Sequence, residues 1–281
     1  MDERFARLQP LVGREGIERL DTARVAVFGL GGVGGSCVEA LVRGGIGALV
    51  LIDGDAVEPS NINRQAIAFE STLGMRKVDA AARLVHDINP TCSLELHDRF
   101  VTREDACALL DGILATGPLD FIVDCIDTLH TKLALAQWAE QTGTPFVSCA
   151  GTARKFDASA FEFADLYDTT VCPLCRAMRH EARKMGIKHI RMLYSREIPH
   201  TAHVAAYVAA HVTASAEGTR TVADTENAES AEGAGNAEGV GRAEQVPTQT
   251  PANTLGTMSY VPPIAGMLLA GHVLRTIASV D

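Results

Sequence analysis

The sequence predicts an α/β fold with a doubly wound, mostly parallel sheet, extended by antiparallel strands and a C-terminal helix. Short apolar runs of strand length alternate with helical patterns from Arg24 to Gly151. These runs are almost continuously apolar, which is typical of parallel strands covered by helices on both faces. After Gly151 the pattern changes to an alternation with period two, which predicts a half-buried antiparallel strand.

The elements of the first half follow one another in strand–helix order. The predicted strands are Arg24–Phe28, Ala48–Asp53, Ser93–Leu96, Phe121–Cys125 and Pro145–Cys149. The predicted helices between them are roughly Val33–Arg43, Arg76–Ile88, Arg103–Leu114 and Lys132–Thr142. An Asn-Pro pair ends the second helix, because proline does not continue one.

The second half contains fewer elements. Ala160–Asp165 has the period-two alternation, and Ile190–Tyr194 is a further predicted strand. Pro173 suits the first turn of a helix that ends near Gly186. A last apolar helix, at about Ile264–Ile277, is too short to cross a bilayer comfortably. We therefore expect it to pack against the sheet or a partner subunit, and we expect no membrane span.

The composition is that of a globular chain. Of its 281 residues, 47% are hydrophobic and 21% are charged, which excludes a wholly disordered, collagen-like or fibrous protein. The first residues lack the apolar stretch of a signal peptide, so we expect a cytoplasmic protein. Seven cysteines are an odd number and lie mostly in apolar strand or helix patterns, which argues against a disulfide scaffold.

Charge is distributed unevenly along the chain, whose formal net charge is −10. Residues 213–253 contain seven acidic residues, two arginines and no aromatic side chain. Such a segment cannot bury enough apolar surface to offset its ordering entropy, so we predict a disordered acidic insert. Between Cys172 and Arg196, by contrast, seven basic residues accompany one glutamate. Both a solvated helix face and a phosphate-contacting surface for nucleic acid fit that pattern.

A glycine-rich turn joins the first predicted strand to the first predicted helix. Gly29, Gly31, Gly32 and Gly34 lie in a G-x-G-x-x-G pattern, which lets backbone amides approach a phosphate near a helix N-terminus. Asp53 ends the second strand, where a carboxylate can accept hydrogen bonds from ribose hydroxyls. Together these features predict a Rossmann-like core that binds an adenine nucleotide. An NAD-dependent dehydrogenase fits equally well up to this point.

Charged residues then follow the second and fourth strands. Arg64 and Lys77 supply two cations, as a nucleotide with a reacting triphosphate requires. Asp124 and Asp127 lie at the carboxyl end of a buried strand, where ligands bind in open α/β sheets and where a carboxylate can hold magnesium. Singly, each cation also fits a surface charge, and Asp127 fits a helix N-cap. Their combination is more specific, and dehydrogenase chemistry has no need for the two cations.

Four strings occur in this order between Arg4 and Gly151, namely GLGGVG, LIDGDAVEPSNINRQ, GMRKVDAAARLVHDINP and DCID. They resemble the ThiF-type, ubiquitin-activating-enzyme-like adenylating superfamily. The resemblance implies that ATP activates a carboxylate by adenylation, and that Arg64, Lys77 and Asp127 are catalytic, with Asp127 serving magnesium. It also implies a homodimer in which an N-terminal arginine reaches into the partner's site; Arg7 is the favoured residue, and Arg4 is the alternative. The nucleotide-binding residues that it implies are Gly29, Gly31, Gly32, Gly34, Asp53, Asp55, Asn61, Asn63, Arg64, Gln65, Lys77, Asp127 and Thr128.

The second half narrows the resemblance to one branch. The stretch from Asp165 to Glu197 and the string YVPPIAG at Tyr260–Gly266 look like the branch that acts on threonylcarbamoyladenosine at position 37 of tRNA. The implied reaction adenylates the carboxylate of that nucleoside and closes a ring with loss of water, giving cyclic threonylcarbamoyladenosine. The implied tRNA-facing residues are Arg176, Arg179, Arg183, Lys184, Lys188 and Arg191.

These patterns together predict the organisation of the chain. An ATP-binding core covers residues 1–151, and a substrate-facing extension with the basic helix covers 152–212. The acidic insert covers 213–253, and a C-terminal helix within 254–281 completes the domain.

Two questions stay open at this stage. Cys172 and Cys175 form a single C-x-x-C, whereas zinc-bearing relatives have two such pairs, so no zinc is expected. Thiols at a helix start can be redox-active or accept an acyl group, but a structural or incidental role is the favoured interpretation. The alternative functions are adenylation of the C-terminus of a ubiquitin-like sulfur-carrier protein, and nucleotide sensing without turnover. A monovalent-cation requirement and a sulfur-relay partner protein also stay open.

Overall fold

A seven-stranded sheet forms the centre of the computed structural model, which describes residues 3–200 and 256–280. Within those ranges the strands β1 to β7 are Arg24–Phe28, Ala48–Asp53, Ser93–Asp98, Phe121–Asp124, Phe146–Cys149, Phe161–Asp165 and Arg191–Ser195. Their order across the sheet is β3-β2-β1-β4-β5-β7-β6. β6 pairs with β7 in antiparallel fashion, and the other neighbours are parallel. The predicted fold class is therefore confirmed.

Helices cover both faces of this sheet. In the described residues, α1 to α7 are Gln9–Thr22, Gly34–Arg43, Lys77–Ile88, Ala106–Thr116, Leu129–Thr142, Pro173–Met185 and Val261–Ala278. The sequence pattern predicted all of these except α1. Gly13 interrupts α1 with a non-helical φ of 71°, so two short helical pieces meet at a kink. Neither piece is long enough to establish a helical period, which explains why the pattern missed α1.

Alternate residues of the central strands divide the core into two layers. Val25 and Val27 of β1 pack with α2, α3 and α7 on one face of the sheet. Ala26 and Phe28 pack with α4 and α5 on the other face. A third cluster, which includes Met178, joins α6 to α5 and to β7. Burial on both faces explains why the strands are continuously apolar.

The C-terminal helix α7 lies along α2 at backbone-contact distance. A methyl group on Gly266 would lie 2.2 Å from the carbonyl oxygen of Val33 and 2.9 Å from the backbone nitrogen of Cys37. Among the described residues, α7 is the one helix long and apolar enough, by length and composition, to span a bilayer. Its packing against α2 and the core accounts for that composition. It begins at Val261, three residues before the predicted start, because two prolines fit its first turn.

Only some of the predicted segments of the chain lie within the described residues. Residues 3–198 and 257–280 belong to one compact unit. Within it, β6, α6 and β7 continue the same sheet as the first five strands. The acidic insert predicted over 213–253 lies outside the described residues, and the division of the chain into its four segments stays a prediction.

The contact between α2 and α7 gives a stability test. Gly266→Ala is expected to lower the free energy of unfolding by about 1–3 kcal/mol, because the added methyl overpacks a close backbone contact. Gly271→Ala in the same helix is the matched control, since nothing lies within 4 Å of the methyl it adds. Alanine favours a helix interior over glycine by about 1 kcal/mol, so this control should be neutral or stabilising. Denaturant unfolding followed by circular dichroism measures both, and equal losses would contradict the proposed contact.

Candidate active site

A cleft of about 420 Å³ opens at the carboxyl ends of the strands, beside β1 and β4. The chain continues from these adjacent strands to opposite sides of the sheet, which makes this the switch point where ligands bind in open α/β sheets. The predicted residues that line the cleft are Gly29, Gly31, Gly32, Asp53, Asp55, Asn61, Arg64, Gln65, Lys77, Asp127 and Thr128. Gly34 and Asn63 were predicted with them but do not line the cleft.

The glycine turn forms one wall of the cleft. Gly29 has a φ of 86°, and a methyl group there would lie 3.0 Å from the backbone of Cys125. A methyl group on Gly34 would lie 1.7 Å from the carbonyl oxygen of Gly29, so α2 can start here only with glycine. Gly34 thus has a packing role, which brings the N-terminus of α2 to the cleft. Gly31 and Gly32 line the cleft in front of it, and a methyl group on Gly32 would lie 2.9 Å from the side chain of Pro262.

Asp53 and Lys77 are nearly buried at the base of the cleft. Asp53 accepts hydrogen bonds from the backbone N–H of Leu30 at 2.6 Å and of Asp55 at 2.8 Å. Lys77 Nζ donates to Asp55 Oδ2 at 2.6 Å and lies 4.0 Å from Asp53 Oδ1. The Asp55 side chain is 50% exposed, so water weakens its hold on the ammonium. A phosphate in the cleft can therefore compete with Asp55 for Lys77.

Arg64 and Gln65 line the cleft from the loop between β2 and α3. Arg64 Nη1 donates to the carbonyl oxygen of Ser60 at 2.8 Å and to Asn63 Oδ1 at 2.9 Å. Partial burial lowers the pKa of Arg64 from its ordinary value, but a guanidinium stays charged at neutral pH. Gln65 is buried, and its Oε1 has no hydrogen-bond partner among the described residues. An unpaired buried acceptor is costly, which fits a site completed by a ligand donor.

The two asparagines of this loop maintain its shape. Asn61 Oδ1 accepts from the backbone N–H of Glu58 at 3.2 Å, and the Asn61 carbonyl accepts from the backbone N–H of Arg64 at 3.1 Å. Asn63 Nδ2 donates to the carbonyl oxygen of Thr257 at 3.2 Å. Asn63 therefore ties the loop to the segment before α7, which is a different position from the predicted contact with nucleotide.

A buried ion pair that the sequence pattern did not reveal supports the opposite wall. Asp124 Oδ2 lies 2.9 Å from Lys132 Nζ, and both side chains are fully buried. Ser148 Oγ donates to Asp124 at 2.7 Å, and Lys132 donates to the carbonyl oxygen of Ile126 at 2.8 Å. These bonds fix the turn after β4. Of the two acids predicted there, Asp124 holds the backbone and exposed Asp127 faces the cleft.

Other lining residues were not singled out from the sequence. The clearest are Arg99 and Phe100, directly after β3, and Thr257 and Pro262, beside the start of α7. Phe100 is 68% exposed, and its ring offers an apolar face on which a base can stack. A large aromatic residue just past the carboxyl end of a strand is a signal that the sequence does contain. The contribution of α7 has no such local signal, because it depends on long-range packing.

The family model described as the ThiF family matches residues 4–281. The chain belongs to the ThiF family. The predicted superfamily is thereby confirmed, and the glycine turn, Asp53 and the cations of the cleft are features of this ThiF-family chain.

Individual relatives and structures were also compared. The tRNA threonylcarbamoyladenosine dehydratase of Bacillus subtilis (strain 168) is 36% identical over 200 residues, which are 71% of this chain and 77% of that protein. The adenylyltransferase and sulfurtransferase MOCS3 of Drosophila yakuba is 33% identical over 156 residues, 55% of this chain and 33% of that protein. The crystal structure of Escherichia coli tRNA N6-threonylcarbamoyladenosine dehydratase in complex with ATP has a TM-score of 0.75. It covers 99% of this chain and 94% of that one at 22% identity, which shows a shared fold.

Arg7 lies away from the cleft of its own chain. Phe5 is buried and lies close to Gly45, just before β2. Arg4 Nη1 lies 3.5 Å from the carbonyl oxygen of Ile88, at the end of α3. Both contacts are at the amino edge of the sheet, opposite the cleft, and exposed Arg7 follows them in the chain. Any action of Arg7 at a nucleotide site therefore requires a second copy, and that stays a prediction.

Five of the six basic residues predicted to face tRNA are exposed, namely Arg176, Arg183, Lys184, Lys188 and Arg191. Arg179 is half-buried instead. Its Nη1 donates to the carbonyl oxygens of Leu166 at 3.3 Å and Thr169 at 2.8 Å, so it holds the turn before α6. Because α6 starts at the carboxyl edge of the sheet and runs away from it, Arg176 is the one of these basic residues that lies nearest that edge.

The carboxylates of the cleft differ in their availability to a metal ion. Within residues 3–200 and 256–280, no group of three or more His, Cys, Asp or Glu side chains is arranged to hold one. Magnesium bound to a nucleotide does not need such a group, because waters and phosphate oxygens supply most of its ligands. Asp53 already accepts two backbone amides, and Asp55 pairs with Lys77. Asp127 is thus the carboxylate that best fits a metal bridged by phosphates.

The buried ion pair can be tested by a double-mutant cycle. Lys132→Met is expected to cost about 3–5 kcal/mol of unfolding free energy, because Asp124 is left as an unpaired buried charge. Adding Asp124→Asn should recover part of that loss. Glu18→Gln, which breaks the exposed Arg14–Glu18 pair, is the control and should change stability little. Urea unfolding measures the wild type, Lys132→Met, Asp124→Asn, the double variant and the control, and a Lys132→Met loss as small as the control's would contradict this account.

Proposed function

We propose that this chain uses ATP to adenylate the carboxylate of threonylcarbamoyladenosine in tRNA, and then closes that nucleoside into its cyclic form with loss of water. The observation that carries the proposal is one cleft containing two cations, a glycine wall and an unpaired buried acceptor. The B. subtilis relative, matched over most of both chains, is named for this dehydratase activity. Adenylation of a sulfur-carrier protein would use the same cleft, but the adenylyltransferase and sulfurtransferase relative is matched over only 33% of its length, against 77% for the dehydratase.

In this proposal ATP lies across the switch point of the sheet. The glycine turn and the N-terminus of α2 bind phosphate oxygens, since the backbone amides there point towards the ligand. Asp53 accepts from a ribose hydroxyl, and the base stacks on Phe100. Gln65 Oε1, the unpaired acceptor, takes a hydrogen bond from the bound substrate. Each assignment uses a side chain that lines the cleft.

Adenylation gives the carboxylate a good leaving group. One carboxylate oxygen attacks the α-phosphorus of ATP, and the bond from that phosphorus to pyrophosphate breaks. Negative charge grows on the phosphoryl oxygens, and Arg64 and Lys77 stabilise that charge. Asp127 would hold magnesium through the phosphates, and that ion would supply further neutralisation of the leaving group.

Ring closure follows within the same nucleoside. An internal nitrogen or oxygen attacks the activated acyl carbon, and AMP leaves with one oxygen of the original carboxylate. The nucleoside is therefore lighter by one water at the end of the reaction. The acyl-adenylate must be protected from hydrolysis, and Thr257 and Pro262 shield the cleft on the side of α7.

The proposal extends to the partners of the enzyme. tRNA binds along the exposed basic residues of α6, with its modified nucleoside turned towards the carboxyl edge of the sheet. A second copy of the chain supplies Arg7 to the site, and the enzyme works in the cytoplasm as a homodimer. A monovalent cation and a sulfur-relay partner are left out of the proposal.

Mass spectrometry of nucleosides tests the reaction directly. The full chain, ATP and magnesium are incubated with tRNA that carries threonylcarbamoyladenosine. We expect ATP-dependent loss of one water from that nucleoside, and a roughly 10²–10³-fold lower rate for Arg64→Ala, because a charge-stabilising group is removed. Arg43→Ala, on the exposed side of α2 where Arg43 pairs with Glu39, should keep the full rate.

The outcomes separate the alternatives. An unchanged nucleoside together with ATP–pyrophosphate exchange on a sulfur-carrier protein would keep the adenylation chemistry and replace the substrate, in line with the D. yakuba relative. Full turnover by Asp127→Ala would remove that carboxylate from the mechanism. Nucleotide binding without turnover of either substrate would favour a sensor.

The basic surface of α6 predicts a salt effect. Arg176→Glu combined with Lys184→Glu is expected to weaken tRNA binding and to flatten the dependence of log K on log salt by about 1.4–1.8, since each lost phosphate contact removes about 0.7–0.9. Arg14→Glu on α1, at an exposed site near the opposite edge of the sheet, is the control. Filter binding at several salt concentrations measures the slopes, while the KM for ATP should stay unchanged. Equal slopes for the two variants would contradict this binding surface.

A further inference from the structure

Cys172 and Cys175 form a paired-thiol site at the start of α6, outside the machinery described above. Cys172 is the N-cap of α6, and Cys175 is the third residue of the helix. Cys172 is 5% exposed, whereas Cys175 is completely buried. The two cysteines are thus three positions apart at the start of one helix, where their side chains can contact each other. Helix geometry favours this contact, because the N-cap side chain lies over the third residue.

A buried lysine from another loop adds positive charge to this pair. Lys155 is only 3% exposed, and its Nζ donates to the carbonyl oxygen of Glu197 at 2.8 Å. Its ammonium interacts electrostatically with both Cys172 and Cys175. The hydrogen bond from Cys175, the backbone amides of the first helical turn and Lys155 together lower the pKa of Cys172 to about 6. The bond to Cys172 and burial raise the pKa of Cys175, so the pKa values of the two thiols are shifted in opposite directions.

The other buried or half-buried cysteines lack this environment. Burial raises the pKa of Cys92 to about 11 and of Cys149 to about 12. Burial also raises the pKa of Cys37 and of Cys125. A thiolate is the nucleophile in thiol chemistry, and a cysteine at a helix N-terminus beside a lysine favours that form. The pair at α6 is therefore distinguished from these four by its surroundings.

The turn before α6 brings the pair close to solvent. Val171, immediately before Cys172, is 41% exposed and has a φ of 45°, which is unusual for a β-branched residue. Thr169, fixed by Arg179, also hydrogen-bonds with Cys175. The residue directly before Cys172 is thus exposed and strained, although Cys172 itself packs in a buried cluster. A small reagent can reach Cys172 by a local opening of that turn.

We propose that Cys172 and Cys175 are a redox-active dithiol that exchanges reversibly with low-molecular-weight disulfides. The Cys172 thiolate attacks one sulfur of the disulfide, the S–S bond breaks, and one small thiolate leaves. Cys175 then loses its proton and attacks the Cys172 sulfur, which expels the second small thiolate and forms the Cys172–Cys175 bond. The two protein thiols are oxidised by two electrons, and the small disulfide is reduced to two thiols. The proposal is independent of the tRNA reaction, because neither cysteine lines the cleft.

Glutathione disulfide is the probe for the experiment. The reduced full chain is incubated with it, trapped with an alkylating agent and mapped by non-reducing peptide mass spectrometry. We expect a Cys172–Cys175 disulfide that dithiothreitol reverses. Cys175→Ser should instead accumulate a glutathione adduct on Cys172, since the second thiol is missing. Cys172→Ser should give neither product on Cys175.

Two further variants keep the result interpretable. Cys107→Ser removes the exposed cysteine of α4 and should leave the disulfide unchanged. Lys155→Met should slow the exchange about 2–10-fold at neutral pH, as expected if the pKa of Cys172 rises by one to two units. Circular dichroism of each variant checks folding. An adduct on Cys107 with the pair still reduced would overturn the proposal, and so would a pair that holds zinc and resists oxidation.

Discussion

The close approach of backbone to backbone between β1 and α2 positions the other parts of the cleft. The carbonyl oxygen of Gly29 occupies the space that any side chain on Gly34 would need, so α2 starts directly above the end of the strand. α7 packs on α2 in the same way through Gly266. This second contact brings Thr257 and Pro262 to the rim of the cleft. Two glycine contacts thus connect the first strand to the last helix around one site.

Charged groups at the carboxyl edge divide into those that hold the backbone and those that stay available to a ligand. Asp124 and Lys132 satisfy each other and the turn after β4, and their full burial makes the loss of either partner costly. Asp53 does both, because its carboxylate accepts two backbone amides and keeps further lone pairs for a ribose hydroxyl. By contrast, Asp127 and Gln65 Oε1 lie in the cleft and hold no backbone group in place within the described residues. This division explains how a site with many charges can be both rigid and ready to bind.

The same edge of the sheet contains a second reactive feature with a different physical origin. The helix start at Cys172 supplies partial positive charge, and Lys155 adds a full charge from the loop after β5. Thr152, three residues after β5 ends at Cys149, lines the cleft. The loop between Thr152 and Lys155 therefore lies between the nucleotide site and the thiols. Both sites follow from strand ends and helix starts that meet at one edge.

Local patterns in the sequence were enough for the fold class and for much of the cleft. Continuously apolar strands, the glycine turn and Asp53 are all encoded within short windows, and the structure has them where they were predicted. Helix α1 was missed, because Gly13 breaks its period into pieces too short to recognise. The packing role of Gly34 was not predicted, since only the distance to the neighbouring backbone reveals that contact, and its contact with nucleotide stays a prediction.

Tertiary structure alone decided which charged and polar side chains are buried and what they pair with. In the sequence Asp124 and Asp127 look like equivalent acids. In the structure Asp124 forms a buried ion pair with Lys132, whereas Asp127 is exposed. Arg179, which was predicted to contact tRNA, is half-buried and donates a hydrogen bond that holds a turn. Lys155 becomes a neighbour of Cys172 only when the sheet brings their loops together. Periodicity is a local property that a sequence records, whereas desolvation and pairing depend on residues that are distant along the chain.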